Sequence, residues 1–203
     1  VATYNIQYDN QSVEAGKWDN RKDLMQKMLK DCDFDIFGVQ EPYKFQIDDI
    51  VSWFPEYGWV GASISGESEK ERVHYNPIFY RKDRFTVLDN GMFWYSETPD
   101  VVNSKGWDSY SVRMCNWVKF KDNRNGKIFF HFNSHFDHKG ETARLESAKL
   151  LVSKVKEIAA DYPSFCTGDY NTDQTSAPYQ IIIMSDLMDS YSKAQYRSGD
   201  GQY

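Results

Sequence analysis

Strands are predicted where apolar residues alternate with polar ones or form short apolar runs bounded by turn residues. These segments cover residues 1–8, 34–39, 57–62, 77–81, 84–88, 92–95, 112–120, 127–134 and 164–167. Asp89-Asn90-Gly91 separates two of them and is typical of the tight turn of a β-hairpin. The polar run of residues 97–110 predicts a long loop.

Helices are predicted where apolar residues recur at helical spacing. Residues 18–32 form one such segment. Pro42 suits the first turn of a helix that ends near residue 53, and residues 178–184 predict a short helix. The longest helix is predicted over residues 141–160, with an apolar face of Ala148, Leu151, Val152, Val155 and Ile158.

The order of these elements predicts the fold class. Strand–helix units at both ends of the chain flank a central run of β-hairpins, which a doubly wound parallel sheet would not contain. The order indicates an α/β fold in which two mixed β-sheets pack face to face and helices cover the outside. Because no linker is apparent, residues 1–203 are interpreted as a single domain.

Composition narrows the classes of protein that remain. The chain has 203 residues, of which 16% are aromatic, so a disordered chain is excluded and a core can form without disulfide bonds. The net charge of −6 lowers the expectation of nonspecific nucleic-acid binding, although local basic patches keep it open. The apolar runs are too short for a membrane span, and no protein partner is evident.

Polar side chains cluster where the predicted strands end, which is where α/β sheets bind ligands. They are Asn5, Glu41, the group His135, Asp137 and His138, and the pair Asp169 and Asn171. Singly, each has a structural explanation, such as a helix N-terminus for Glu41 or an Asx turn at Asp169. Together these oxygen and imidazole donors suit Mg²⁺, with Mn²⁺ as a substitute.

A binuclear zinc hydrolase is a less favoured alternative. The segment Asn133-Ser134-His135-Phe136-Asp137-His138 approaches the HxHxDH pattern of such enzymes. However, position 133 is Asn where the pattern needs His, and no histidine follows His138. A zinc site requires its full set of ligands, so this interpretation is weak.

Five short motifs together resemble the endonuclease/exonuclease/phosphatase superfamily, the deoxyribonuclease I-like proteins. In family order they are Thr3-Tyr4-Asn5-Ile6, Gly38-Val39-Gln40-Glu41, Pro77-Ile78-Phe79-Tyr80-Arg81, Asn133-Ser134-His135-Phe136-Asp137-His138 and Gly168-Asp169-Tyr170-Asn171. Residues 93–99, with Arg113 and Asn116-Trp117, resemble an uncharacterised bacterial branch of it.

The resemblance implies a four-layer sandwich and a phosphoesterase that hydrolyses phosphodiester or phosphomonoester bonds by metal-assisted attack of water. It assigns the metal to Glu41 and Asn5, and the catalytic roles to His135, Asp169 and Asn171. Asp169 would take a proton from water, while Asn171 and His135 would bind the phosphoryl group.

Four further residues are expected to bind the phosphorylated substrate. Asp137 and His138 belong to the same motif as His135. Arg113 and Arg144 could clamp a phosphate, and Arg144 falls in the first turn of a predicted helix; surface salt bridges are the alternative for both. The substrate itself is open among nucleic acid, nucleotide, phospholipid head group and sugar phosphate.

Some aromatic and histidine side chains are ambiguous. Rings in the predicted loops and strand ends either stack on a base or sugar or pack in the core. His74, in the charged segment of residues 66–74, is expected to be solvated. The rings concerned are Trp94, Tyr95, Trp107 and Tyr110.

The sequence also departs from the family pattern. The family ends with an acidic residue, an aromatic-rich strand and a Ser-Asp-His motif, which this sequence lacks. We therefore expect a piece of a longer protein with C-terminal strands missing, an uncovered sheet edge, and weak or no turnover. The alternative is a catalytically dead module that binds a phosphorylated ligand. The start at Val1, inside a predicted strand, suggests a removed export signal or a cloning boundary.

Overall fold

The structure is a computed structural model that describes residues 1–197. Eight strands are β1 (Ala2–Asn5), β2 (Ile36–Gln40), β3 (Tyr57–Val60), β4 (Ile78–Arg81), β5 (Phe85–Trp94), β6 (Met114–Asp122), β7 (Ile128–His135) and β8 (Ser164–Asp169). The helices are α1 (Lys22–Cys32), α2 (Lys44–Trp53), α3 (Glu141–Ala159), α4 (Ala177–Ile183) and α5 (Ser190–Lys193). Short 3₁₀ turns form at Glu14–Gly16 and Trp18–Asn20.

The strands form two four-stranded mixed sheets, which confirms the predicted fold class. The first sheet has the order β1-β2-β4-β3 and the second the order β5-β6-β7-β8. In each sheet one pair is parallel, β1 with β2 and β7 with β8, and the other pairs are antiparallel. Each parallel pair places two carboxyl ends side by side, and β1 contacts β8 of the other sheet, so the carboxyl ends of four strands lie in the same region of the molecule.

Alternation along the strands separates three apolar layers. Phe37 and Val39 of β2 pack under α1 and α2. On the opposite side of the molecule, Phe130 and Phe132 of β7 pack under α3. Between the sheets lie the side chains of opposite parity: Ile36, Ile78, Phe85, Val118 and Phe120.

One predicted turn is wrong. Asp89-Asn90-Gly91 lies inside the continuous strand β5, where Asp89 pairs with Lys119 and Gly91 with Trp117. The register shifts between Val87 and Asp89, so the extra residue is accommodated as an irregularity of the strand rather than a hairpin. At Gly91 a Cβ atom would lie 2.6 Å from the Trp117 ring, so the glycine allows a close approach rather than a turn.

Two predicted helices begin later than expected. Residues 18–20 form a separate 3₁₀ turn before α1, which begins at Lys22. The second helix begins after Tyr43, because Tyr43 is extended and its backbone N–H donates to the Gln46 side chain. Pro42 therefore precedes the helix instead of occupying its first turn.

Two edge strands carry exposed aromatic side chains. β1 and β8 lie at the edges of their sheets, and Tyr4 and Phe165 on them are exposed. The expectation that C-terminal strands are missing, and that this leaves a sheet edge uncovered, stays a prediction. Across residues 1–197, no helix has the length and apolar character that crossing a bilayer requires.

A buried amide joins the two sheets at their centre. Asn133 of β7 donates from Nδ2 to the backbone carbonyls of Val39 at 2.9 Å and Pro77 at 3.0 Å. Its Oδ1 accepts from Gln40 Nε2 at 2.6 Å and from Thr167 Oγ1 at 3.2 Å. All its hydrogen-bonding capacity is used without water, so this amide specifies how the sheets align.

Gly38 makes room for that amide. A Cβ atom at position 38 would lie 2.5 Å from Asn133 Oδ1 and 2.7 Å from Thr167 Oγ1. Any side chain there would push the two sheets apart, since packed interiors have no space to yield.

We expect Asn133→Ala to lower the free energy of unfolding by about 2–4 kcal/mol, because it leaves two buried carbonyls and the Gln40 amide without hydrogen-bond partners. Asn90→Ala, which removes an exposed amide from β5, is the matched control and should change it by less than about 0.5 kcal/mol. Urea denaturation followed by circular dichroism measures both. Equal losses in the two variants would contradict a stabilising role for the Asn133 network.

Candidate active site

Side chains from four strand ends meet in one cleft. Asn5, at the end of β1, donates from Nδ2 to Glu41 Oε1 at 3.0 Å and to Asp169 Oδ2 at 2.8 Å. His135, the last residue of β7, has its Nε2 at 3.9 Å from Glu41 Oε1 and 3.7 Å from Asp169 Oδ2. The structure therefore brings together both carboxylates, the amide and the imidazole that the sequence singled out.

The buried hydrogen-bond network between the sheets explains why these four side chains meet. Gln40 Nε2 also donates to Thr3 Oγ1 at 3.0 Å, so one hydrogen-bonded chain passes through β1, β2, β7 and β8. Each candidate residue follows a member of that chain by one or two positions. The pairs are Thr3 with Asn5, Gln40 with Glu41, Asn133 with His135, and Thr167 with Asp169.

The backbone is strained at two of these strand ends. Glu41 has a φ of 71° and Asn171 a φ of 47°, in the left-handed region that residues other than glycine seldom adopt. Such strain persists only where surrounding contacts hold it, and it is common at functional sites. At Glu41 this conformation interrupts the alternating side-chain directions of β2, and the Glu41 side chain points toward the cleft.

Asn171 lies beside Asp169, as the resemblance implies. Its backbone N–H donates to Asp169 Oδ1 at 3.0 Å, and its Nδ2 donates to the Phe136 carbonyl at 3.0 Å. The side-chain amide has a second N–H, which remains the group able to meet a phosphoryl oxygen.

Burial controls the protonation of His135. It holds the pKa of this imidazole well below the usual range, and the nearby Arg113 guanidinium acts in the same direction. The ring is therefore neutral near pH 7 in this structure. A neutral imidazole can still donate one N–H to a ligand.

A buried cation lies next to the carboxylates. Arg113 is 8% exposed, and its Nη2 lies 3.0 Å from His138 Nδ1. Its Nε is 3.6 Å from Asp137 Oδ2 and has no hydrogen-bond partner among the described residues. Because arginine only donates, His138 Nδ1 is the acceptor in this contact, which leaves Nε2 as the ring nitrogen that can donate.

The substrate contact predicted for Asp137 is not supported by its surroundings. Asp137 is 1% exposed, and both its oxygens accept backbone N–H groups. Burial acts to raise the pKa of this carboxyl, but the N–H groups of Gly140, Ser111 and Lys139 hold it well below its usual range. The ionised carboxylate therefore braces the loop and faces Arg113 instead of the open cleft.

Arg144 is brought to the same neighbourhood. It lies in the first turn of α3 and donates from Nη1 to the Asp137 carbonyl at 3.0 Å. It also lines an open groove of about 520 Å³ that includes Asn171. The alternative of a surface salt bridge finds no support, since its contact is with a backbone carbonyl.

The donors fit a hard divalent cation better than zinc. Glu41 and Asp169 present oxygens joined through one amide, and Mg²⁺ needs only one or two carboxylates because it keeps several waters. Within residues 1–197 no group of three or more His, Cys, Asp and Glu residues is arranged to hold a metal. Position 133, where the zinc pattern needs His, holds an Asn that bonds across the sheet interface, and Asp137 is bound to backbone N–H groups of a loop.

Sequence reasoning missed His74. Instead of being solvated, its ring stacks on Tyr8 with centroids 5.0 Å apart and contacts Tyr43. Burial lowers the pKa of His74, Glu41 opposes this and Arg113 adds to it, which places the ring close to the cleft. His74 precedes β4, and β4 is antiparallel to β2, so the start of one strand meets the end of the other.

The ambiguous aromatic residues fall into two groups, one in the core and one at the candidate site. Trp94 and Tyr95 are buried, and the Trp94 indole donates to the Ile64 carbonyl at 2.8 Å, so both belong to the core. Tyr110 is 61% exposed and lies edge-on to His138, with ring centroids 5.3 Å apart. Trp107 packs, partly buried, against the apolar layer under α3, whereas Tyr110 borders the candidate site.

Comparison with known proteins agrees with this geometry. The sequence profile described as Endonuclease/Exonuclease/phosphatase family matches residues 2–202. A crystal structure of the endonuclease/exonuclease/phosphatase from Bacteroides vulgatus has 41% sequence identity and a TM-score of 0.89, over 95% of this chain and 74% of that one. The Bacteroides thetaiotaomicron mannosyl-6-phosphatase has 39% identity and a TM-score of 0.83, over 90% and 68%.

A curated relative is more distant. An uncharacterised protein of Acanthamoeba polyphaga mimivirus is 33% identical over 168 residues, which is 77% of this chain and 60% of that protein. This chain therefore spans less than two thirds of that relative. A profile match over almost its whole length nevertheless shows that the chain belongs to the Endonuclease/Exonuclease/phosphatase family, whose members are hydrolases acting on phosphoester bonds.

Proposed function

We propose that this protein is a divalent-metal-dependent phosphoesterase that prefers phosphomonoesters. The observation that carries the proposal is the arrangement of the cleft. Two carboxylates, Glu41 and Asp169, face each other through Asn5, and a buried cation, Arg113, lies close by. One side suits a metal ion and the other suits the phosphate that the metal would activate.

Each side chain has a role that its contacts support. Glu41, with Asn5 close by, would hold Mg²⁺ or Mn²⁺. When bound, the ion would supply charge neutralisation for the phosphoryl oxygens. Asp169 would take a proton from the attacking water, and its bond to Asn5 keeps the carboxylate oriented. His135 Nε2 and the Asn171 amide would donate to phosphoryl oxygens as their charge increases.

Arg113 and His138 favour a monoester over a diester. The terminal phosphate of a monoester carries up to two negative charges, and a diester carries one. The Arg113–His138 contact directs the His138 proton to Nε2 and keeps a permanent positive charge beside the cleft. The name of the Bacteroides thetaiotaomicron relative, a mannosyl-6-phosphatase, supports the same preference. Phosphodiester hydrolysis stays a second prediction that the same assay tests.

The second candidate is a module that binds a phosphorylated ligand without turnover. The observation that favours it is that the buried Arg113 and the Asn171 amide could bind a phosphate without taking part in hydrolysis. The two functions share the cleft and differ only in hydrolysis.

We expect metal-dependent hydrolysis of p-nitrophenyl phosphate to fall at least about a hundredfold in Asp169→Ala, because the base that accepts the proton is lost. Asp161→Ala, which removes an exposed carboxylate, is the matched control and should keep wild-type activity. Assays with Mg²⁺, Mn²⁺ and chelator, and with bis(p-nitrophenyl) phosphate, test the metal and the ester class. Equal rates in wild type and Asp169→Ala would refute the role of Asp169; phosphate binding without turnover would establish the binding module.

We expect Arg113→Lys to weaken inhibition by inorganic phosphate about tenfold, because lysine keeps the charge but loses the planar fork that contacts His138. Arg124→Lys, at an exposed turn, is the control, and inorganic phosphate should inhibit it as strongly as it inhibits wild type. Thermal unfolding of each variant separates a binding defect from loss of fold. An unchanged inhibition constant in a folded Arg113→Lys variant would contradict the phosphate contact.

A further inference from the structure

We propose that the groove between α3 and the segment after β8 binds the leaving group of the substrate, and that this leaving group is a neutral polyhydroxylated one, of the sugar class. We call it the α3–α4 groove. The proposal rests on the proposed phosphoesterase function, since it concerns the part of the substrate beyond the phosphate. The residues that matter to the argument are Glu141, Arg144, Leu145, Asn171, Asp173 and Pro178.

The groove is continuous with the candidate active site. Asn171 lines it and also donates to Asp169 Oδ1, so a ligand whose phosphate meets Asp169 can extend into it. Arg144 lies on the side shared with Asp137. Its volume of about 520 Å³ and open shape fit a hexose-sized group.

The charge of the groove differs from that around Arg113. Glu141 and Asp173 contribute two carboxylates to its lining, against the single guanidinium of Arg144. Carboxylates accept hydrogen bonds from hydroxyl groups and repel phosphates. A neutral leaving group rich in hydroxyls therefore suits this lining, whereas a second anionic group does not.

The same lining disfavours a nucleic acid. The leaving strand of a nucleic acid carries further phosphates into the groove, where Glu141 and Asp173 would oppose them. Among the described residues that line the groove there is no aromatic ring on which a base could stack. Leu145 and Pro178 instead offer small aliphatic surfaces suited to the C–H face of a sugar.

The wall of the groove is held in place before any ligand binds. Asp173 Oδ1 accepts from the Thr175 backbone N–H at 2.8 Å, and the Asp173 carbonyl accepts from Ser176 Oγ. Ser176 in turn caps α4 by accepting from the Tyr179 N–H. A preformed wall lowers the entropy lost on binding, which is what a specificity site requires.

The test compares two non-hydrolysable ligands in the presence of Mg²⁺ by titration calorimetry. One is the 6-phosphonate analogue of mannose 6-phosphate and the other is methylphosphonate, which lacks the sugar. We expect wild type to bind the sugar phosphonate at least about ten times more tightly than methylphosphonate, which is a ratio of dissociation constants of about ten or more. In Glu141→Ala, and in Leu145→Trp, which fills the groove, this ratio should fall toward one. Glu146→Ala, on the same helix but paired with Lys149 at the surface, should keep it.

Several outcomes would overturn the proposal. They are a ratio of one in wild type, an unchanged ratio in both groove variants when they remain folded, and tighter binding of a dinucleotide that carries the same phosphonate. Failure of the groove and failure of the function are distinct. Hydrolysis of p-nitrophenyl phosphate with a ratio of one refutes the groove alone, whereas a high ratio without hydrolysis refutes the enzyme and supports the groove. No binding of either phosphonate refutes both.

Discussion

The buried side chain of Asn133 is the contact on which the candidate site depends. It bonds to a carbonyl of β2, to the Pro77 carbonyl that precedes β4, and to side chains of β2 and β8. These four bonds hold the two sheets in one position relative to each other. Apolar packing alone is non-directional and would tolerate small slips between sheets. A fully bonded amide does not, because any slip leaves a buried donor or acceptor without a partner.

The consequence is positional precision at the strand ends. Glu41 and Asp169 belong to different sheets, and only one alignment of those sheets lets Asn5 reach both carboxylates. The left-handed backbone at Glu41 costs free energy, which the surrounding network must offset. The hydrogen bonds that stabilise the centre of the sandwich therefore also determine the geometry of the candidate site at its rim.

Charge is arranged unevenly around the cleft. The sheets supply the carboxylates, whereas Arg113 and His138 come from segments next to them. Arg113 contacts both Asp137 and His138. Asp137 is ionised because backbone N–H groups solvate it in place of water. Its charge is thereby available to a buried guanidinium that would otherwise be unstable in the interior. The cation that suits a phosphate thus depends on a carboxylate that does not face the cleft.

Local sequence patterns were sufficient to predict the α/β class, the two mixed sheets and most strand and helix positions, because alternation and helical spacing are local properties. The same patterns placed Asn5, Glu41, His135 and Asp169 at strand ends, whereas the alignment of the two sheets is what brings them together. Tertiary structure alone decided that Asp89-Asn90-Gly91 continues a strand, since Trp117 on a partner strand covers Gly91. It alone placed His74 at the cleft and formed the α3–α4 groove, because both depend on pairing between segments far apart in the chain.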